Sequence, residues 1–268
     1  MEMNRFLIAL FVIFYSGTSM AAAAMVQNVS GDVKVMLGTA PALPVSQNQA
    51  LENGMTVMTG ENGRVVMKFE DGELVALNTN ASFKIDQYHF EPSSPEKNSI
   101  VFSLLKGAMR AVTGLIGKSN SNGFALHTPT ATIGIRGTDF MAATGSLYLQ
   151  VLNGMVSATN SVGAATFTVG QTGFVASLSA VPMTIAATQL PLSVATSFSQ
   201  LSSMTLTGAG ALGGGSGGGV AGTGTAATGA GVGELSTAGV VGSAAAIGAA
   251  AAIISGKNSA IGTTTVTQ

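Results

Sequence analysis

Residues 54–85 read GMTVMTGENGRVVMKFEDGELVALNTNASFKI, and their apolar residues recur with a period of two. Val65, Met67 and Phe69 alternate with Val66, Lys68 and Glu70, the pattern of a strand with one face buried and the other wet. Leu74 and Ala76 share one face and Val75 and Leu77 the other, so this run suits a strand covered on both sides. Glu61-Asn62-Gly63 and Asp71-Gly72 separate the runs. Asn-Gly and Asp-Gly supply the positive φ that tight turns require.

The same texture extends outward from Val26 to about Leu178. VSGDVKVML (29–37) alternates around a Gly-Asp turn, and SIVFSLLKGAMRAVTG (99–114) has strand character with Gly107 as a bulge or close approach. EPSSPEKN (91–98) and KSNSNG (118–123) are polar loops. SLYLQVLNGMVSAT (146–159) places Asn153-Gly154 as a hairpin turn, and AATFTVGQTGFVASL (164–178) turns again at Gly170 to Gly173. Many short strands, and no helical stretches to make parallel crossovers, predict an all-β fold, a sandwich or a closed roll.

On either side the texture changes. Arg5, an apolar run from Phe6 to Tyr15 and small residues through Ala24 have the order of an export leader, with cleavage expected near Ala22 to Ala24 and a mature start close to Met25. An uncleaved anchor is the alternative, although the run is short for a bilayer span. Downstream, Leu190, Val194, Phe198, Leu201 and Met204 are spaced by three and four, which predicts a short amphipathic helix between Pro191 and Met204. Residues 208–233 are Gly-rich and predict a flexible linker. Ala238 to Ser255 is an uncharged, Ala-rich and only weakly hydrophobic helix candidate, for which a weak or partial membrane helix making weak membrane contact, a packed hairpin-like tail and a disordered tail are the alternatives. The expected organisation is a leader at 1–24, a β domain at 25–180, a helix and connector at 181–207, a linker at 208–233 and an apolar tail at 234–268.

Composition narrows the chemistry. Charged residues make up 9% of the 268, against roughly 25% in an average soluble domain. The net charge is -1, which gives nucleic acid no basic surface to bind. After Asp139 the only charges are Glu234 and Lys257. With no cysteine, disulfides and thiolate chemistry are absent. Two histidines, His89 and His127, far apart in sequence, make a metal site dependent on several carboxylates. GLIGKS (114–119) lacks the glycine a phosphate-binding loop needs, since Val112 stands there, and GGGSGGG has no strand before it. His89 and Glu91 share one side of a strand, but as an exposed strand end beside a loop by default. Nothing here has the pattern of an active site, and no cofactor is expected.

One motif remains, HTPTATIGIRGTDF at 127–140. Arg136 follows a β-branched run, and a guanidinium near a core needs a carboxylate or carbonyl partner. Asp139 is the nearest in sequence, and Gly137 supplies a turn that could join them. A structural cross-link of this kind is favoured over ligand binding.

These residues resemble the central motif of the FecR domain family, a Thr-Pro, a β-branched run and an Arg-Gly-Thr-acidic-aromatic element. LPVSQNQALENGMTVMTGENGRVVMKFEDGELVALNTNASFKI before it and VLNGMVSATN with TVGQTGFVA after it extend the resemblance from Val29 to Leu178. The resemblance implies a jelly-roll-like or rolled β-sandwich outside the cytoplasm of a Gram-negative bacterium (periplasmic, outer-membrane-associated or secreted). It also implies no catalytic residues, with Thr128, Pro129, Arg136, Gly137, Thr138 and Asp139 in a structural role. The family's founding members are inner-membrane regulators that contact an outer-membrane transducer and control a sigma factor. With an export leader at the start, no cytoplasmic sigma-binding segment is expected here. The expected function is a non-enzymatic interaction or structural module of the envelope, binding an envelope protein or itself. The alternatives are a self-assembling surface or secreted adhesin-like protein and an envelope signalling component related to sigma-factor regulators. A carbohydrate-active enzyme would need paired carboxylates, which are lacking.

Overall fold

A computed structural model describes residues 22–207. Residues 1–21 of the expected leader, the expected Gly-rich linker and the Ala-rich tail with its expected membrane contact lie outside the described residues. The strands are β1 (Ala24–Ser30), β2 (Val33–Leu37), β3 (Leu43–Pro44), β4 (Ala50–Leu51), β5 (Met55–Thr59), β6 (Arg64–Phe69), β7 (Leu74–Leu77), β8 (Ser82–His89), β9 (Ser99–Lys106) and β10 (Ala108–Val112). After helix α1 (Leu115–Ser119) come β11 (Phe124–His127), β12 (Thr132–Ala143), β13 (Leu147–Asn160), β14 (Gly163–Thr168), β15 (Thr172–Val175) and β16 (Met183–Ile185), then helix α2 (Leu192–Ser202).

All the strands belong to one curled sheet, in the order β3-β2-β5-β8-β9-β11-β12-β10-β7-β6-β1-β4, with β13 continuing from β12 to β14 and β15, and β16 beyond β15. The fold is all-β, as expected, with the rolled form realised by a single sheet. The chain passes repeatedly between the two halves of the sheet, and two of these passages fall at expected turns. The Gly-Asp turn after β1 and the Glu-Asn-Gly turn after β5 do not close hairpins. β1 pairs β6 and β4 while β2 pairs β5 and β3, so at each corner the chain leaves one half of the roll for the other. Asp71-Gly72, in contrast, closes the β6–β7 hairpin as read.

Curling brings the alternating apolar faces together. Phe69 from one half lies 4.8 Å, centroid to centroid, from Phe102 of the other and 5.3 Å from Tyr88, and Phe83 stacks on Phe102 at 5.0 Å. These aromatics, with Val26, Val57, Met67, Ile85, Leu104, Ile133 and Phe140, fill one continuous core. The first strand starts flush with this core. Ala23 and Ala24 are buried, and Ala23 N–H donates to Leu51 O at 2.8 Å, so the folded region begins before the Met25 boundary expected from sequence.

A smaller second core lies on the outside of the roll. Val66, Ala76, Ala108, Met141 and Ala143 form an apolar floor, covered by Phe198 and Leu201 of α2. This explains β7: Val75 and Leu77 face the interior while Ala76 lies under the helix. α2 is further tied down by Gln200, whose Oε1 accepts from Asn78 Nδ2 at 2.8 Å. The amphipathic spacing read in the sequence therefore builds the predicted helix. Among the described residues no helix is long and apolar enough to cross a membrane.

Two segments depart from the reading. GLIGKS forms the single-turn helix α1, with Ile116 buried, where strand and loop were expected. Asn153-Gly154 does not turn the chain. β13 runs unbroken through it for 14 residues, and the turn falls instead at Thr144 to Ser146. Gly154 takes φ +75° within the strand because a bulge in β12 lies opposite.

Candidate interaction surface

That bulge is the Arg-Gly-Thr element. Ile133 and Ile135 of β12 point into the main core, so strict alternation would send Gly137 and Asp139 after them. Gly137 instead adopts φ +58°, the pairing with β13 slips between Arg136 and Phe140, and the phase changes by one residue. Phe140 and Ala142 then face the core, while Met141 and Ala143 face outward beneath α2. One strand thereby serves both cores; the register with β13 is the same on either side of the irregularity, and under strict alternation Phe140 would point out.

The remaining motif residues hold this geometry. Thr128 closes the β11–β12 connection: its Oγ1 donates to Ala131 O at 2.7 Å and accepts from Ala131 N at 3.1 Å, with exposed Pro129 at the tip. Thr138, buried, is clasped to Thr113 beyond β10. Their hydroxyls lie 2.9 Å apart, Thr138 N–H donates to Thr113 Oγ1 at 3.0 Å, and Thr113 N–H donates to Thr138 O at 2.8 Å.

Asp139 is paired, but not with Arg136. Arg110 of β10 grips it with both arms of the fork, Nε to Oδ1 at 2.9 Å and Nη2 to Oδ2 at 2.7 Å. Its carboxylate holds Arg110 more firmly charged than usual, through the hydrogen bonds first and against the cost of burial. Arg110 Nη1 also reaches the carbonyls of Leu201 and Ser202, so a cation sits at the C-terminal end of α2, where it is favourable. The expected Arg136–Asp139 cross-link is thus corrected. The bulge separates the two residues, and the neighbouring strand offers a better-placed guanidinium.

Arg136 is left outward and exposed, with no hydrogen bond or ion pair among the described residues. It stands at one end of a shallow groove of about 380 Å³, floored by Gly134 and bordered by Asn122, Phe124, Met155, Ser157 and Thr166. The floor consists of three strands in register, Arg136 beside Met155 beside Thr168 and Gly134 beside Ser157 beside Thr166. No other charge lies on β13 or β14.

A second cluster escaped sequence reasoning. The Asp71-Gly72-Glu73 hairpin tip is buried, with Asp71 receiving Tyr88 O–H at 3.2 Å, Glu73 N–H at 3.1 Å and Ile116 N–H at 3.1 Å. Tyr88 Oη in turn accepts from Asp71 N–H at 2.8 Å. A side chain at Gly114 would collide with the Asp71 carboxylate, which is why glycine leads into α1. Glu73 is wholly buried, and among the described residues neither carboxylate oxygen has a partner at full hydrogen-bond geometry, with Gly114 N–H the nearby backbone donor. Burial first, then the charge of Asp71, pushes its carboxyl well above the usual range, and the same two causes raise the Tyr88 phenol. In sequence this tip reads only as a turn, because nothing local shows that α1 will close over it.

His89 ends β8 and Glu91 follows it in the next loop, as the exposed strand end expected from the sequence. His89 is exposed, and Glu91 Oε1 accepts from Ser93 Oγ at 3.1 Å. Among the described residues no three His, Cys, Asp or Glu side chains gather to hold a metal.

Comparison with known proteins gives the surface its context. Two crystal structures of an anti-sigma factor candidate from Parabacteroides distasonis align with 14% identity and a TM-score of 0.39, covering 48% of this chain and 58% of theirs. No curated protein matches. The model of the family described as FecR protein matches residues 55–157, from the start of β5 through most of β13, and so includes the bulge, the Thr128 turn and the Asp71 hairpin. Residues 55–157 of the chain therefore match the FecR domain that the sequence resembles.

Proposed function

We propose that this chain is a non-enzymatic, exported interaction module of the bacterial cell envelope, working without a cofactor and binding another protein through the outward face of its FecR domain. The observation that carries the reading is the division of labour within the motif. Thr128, Gly137, Thr138 and Asp139 are spent on a turn, a bulge, a clasp and an ion pair, whereas Arg136 has no partner among the described residues and stands at the end of a shallow groove of mixed polar and apolar lining. An exposed fork with five donors suits a partner's carboxylate or backbone carbonyls.

A second reading, a self-assembling surface or secreted adhesin-like protein, draws on the absence of charge between Met141 and Gly233. A role in envelope signalling, the activity of the family's founding regulators, is compatible with the first reading and would add a transducer or regulator as the partner. A photo-crosslinking residue placed at Arg136 in living cells tests the proposal. Discrete adducts in envelope fractions are expected. Recovery as an uncrosslinked monomer from the cytoplasm would overturn it.

A further inference from the structure

Four strands end the sheet among the described residues: β3, β4, β14 and β16. A free strand edge offers unpaired N–H and C=O groups to any other chain, and proteins usually blunt it with shortness, proline or charge. Three of the four are blunted. β3 has two residues and includes Pro44, β4 has two and is followed by Glu52, and β16 has three and is preceded by Pro182. β14 has six residues, no proline and no charge, and its strand partner is β13; its end at Thr168 is capped by Gln171, whose Oε1 accepts from Thr168 N–H at 2.7 Å and whose N–H donates to Thr168 O at 3.0 Å, which leaves the edge open from Gly163 to Phe167.

We propose that β14 is a self-association edge, along which two copies of this chain pair antiparallel about a two-fold axis. This deepens the interaction-module reading and rests on it. The occupant follows from charge and symmetry. Nothing between Met141 and Gly233 is charged, so two identical edges meet without repulsion, and a neutral edge has no means of selecting a charged partner. On β12, β13 and β14 the charged residues are Asp139, paired with Arg110, and Arg136, two strands in from β14. Across the joined sheet the two copies of Arg136 would stand about 24 Å apart, five strand spacings and well beyond the screening length of about 8 Å.

The strand is also self-complementary. Ala165 and Phe167 face inward while Ala164, Thr166 and Thr168 are exposed. Opposed residues in an antiparallel pair share a face, so a two-fold axis at Thr166 sets Thr166 against its own copy and Ala165 against Phe167, and the ladder stops before Thr168, whose N–H and C=O are already bonded to Gln171. Threonine pairs across strands are favourable. Val162 and Val169, 47% and 59% exposed, flank β14 at either end and extend the contact with apolar surface that is otherwise in water.

Sedimentation of the full chain as wild type, Thr166→Lys, Thr166→Glu and an equimolar mixture of the two variants tests this. Thr166 is exposed, so either variant is expected to fold. Wild type should be dimeric, each variant should associate at least about tenfold more weakly, and the mixture should recover the dimer because opposite charges then face each other. A monomeric wild type, or variants that dimerise as wild type does, would overturn the proposal. If crosslinking from Arg136 captures a different protein while the chain stays monomeric, only the self-association fails. If neither is seen, the interaction reading fails with it.

Discussion

Removing the Asp139 carboxylate strands Arg110 with its fork mostly buried, at 16% exposure, and withdraws the support beneath the end of α2. Asp139→Ala is therefore expected to cost about 2–3 kcal/mol in urea unfolding, the scale for losing charged hydrogen bonds with one partner left behind. Arg136→Ala, which removes no contact within the fold, should stay within about 0.5 kcal/mol of wild type and act on binding instead. Glu73 makes the opposite case of a buried group with no partner at full hydrogen-bond geometry among the described residues. Its carboxyl stays protonated in the fold above the pH at which an unfolded chain releases the proton. The native state then binds the extra proton, so stability is complete below the ordinary glutamate value of about 4.3 and falls as pH rises toward the elevated one. Glu73→Gln should flatten this slope, raising the melting temperature most at neutral to mildly alkaline pH. A variant with the wild-type slope would place the titration elsewhere. Arg136 could be picked out in the sequence as unusual, but its partner could not. Which guanidinium reaches Asp139 depends on β10 lying beside β12, a pairing between residues some thirty positions apart.

Strand existence was plain from alternation, and Asp71-Gly72 acted as the local turn its sequence implies. Pairing was less visible. The corners after β1 and β5 carry the same Gly, Asp and Asn residues as a hairpin, and only the roll as a whole separates a strand that folds back from one that crosses over. Asn153-Gly154 failed for a related reason: a residue able to take positive φ serves a bulge as well as a turn, and the bulge in β12 claimed it. α2 was legible because its spacing of three and four is set by the floor it covers. Phe198, 2% exposed, is the largest side chain it contributes to that floor. Phe198→Ala should cost about 3 kcal/mol of docking, release α2 and uncover Val66, Ala76 and Met141. Increased binding of a hydrophobic dye, with the amides of the inner strands still protected from exchange, is the expected result. Loss of protection throughout would mean that the helix holds the roll itself together.

At the scale of the molecule, a single curled sheet encloses one main core, and its closure depends on strands far apart in sequence. β1 lies between β6 and β4, so the first strand is completed only by chain that follows it. Ala23 and Ala24 are already inside that arrangement, directly after the leader-like segment. No spacer separates the two. A processing enzyme needs its junction extended and accessible, whereas pairing of β1 hides the same residues. If the leader is removed here, the cut and the fold compete for one short stretch, and the order of events is constrained: cleavage comes while β4 and β6 are still emerging, or the junction closes. Export and folding of this chain would then be linked in time by where its first strand begins.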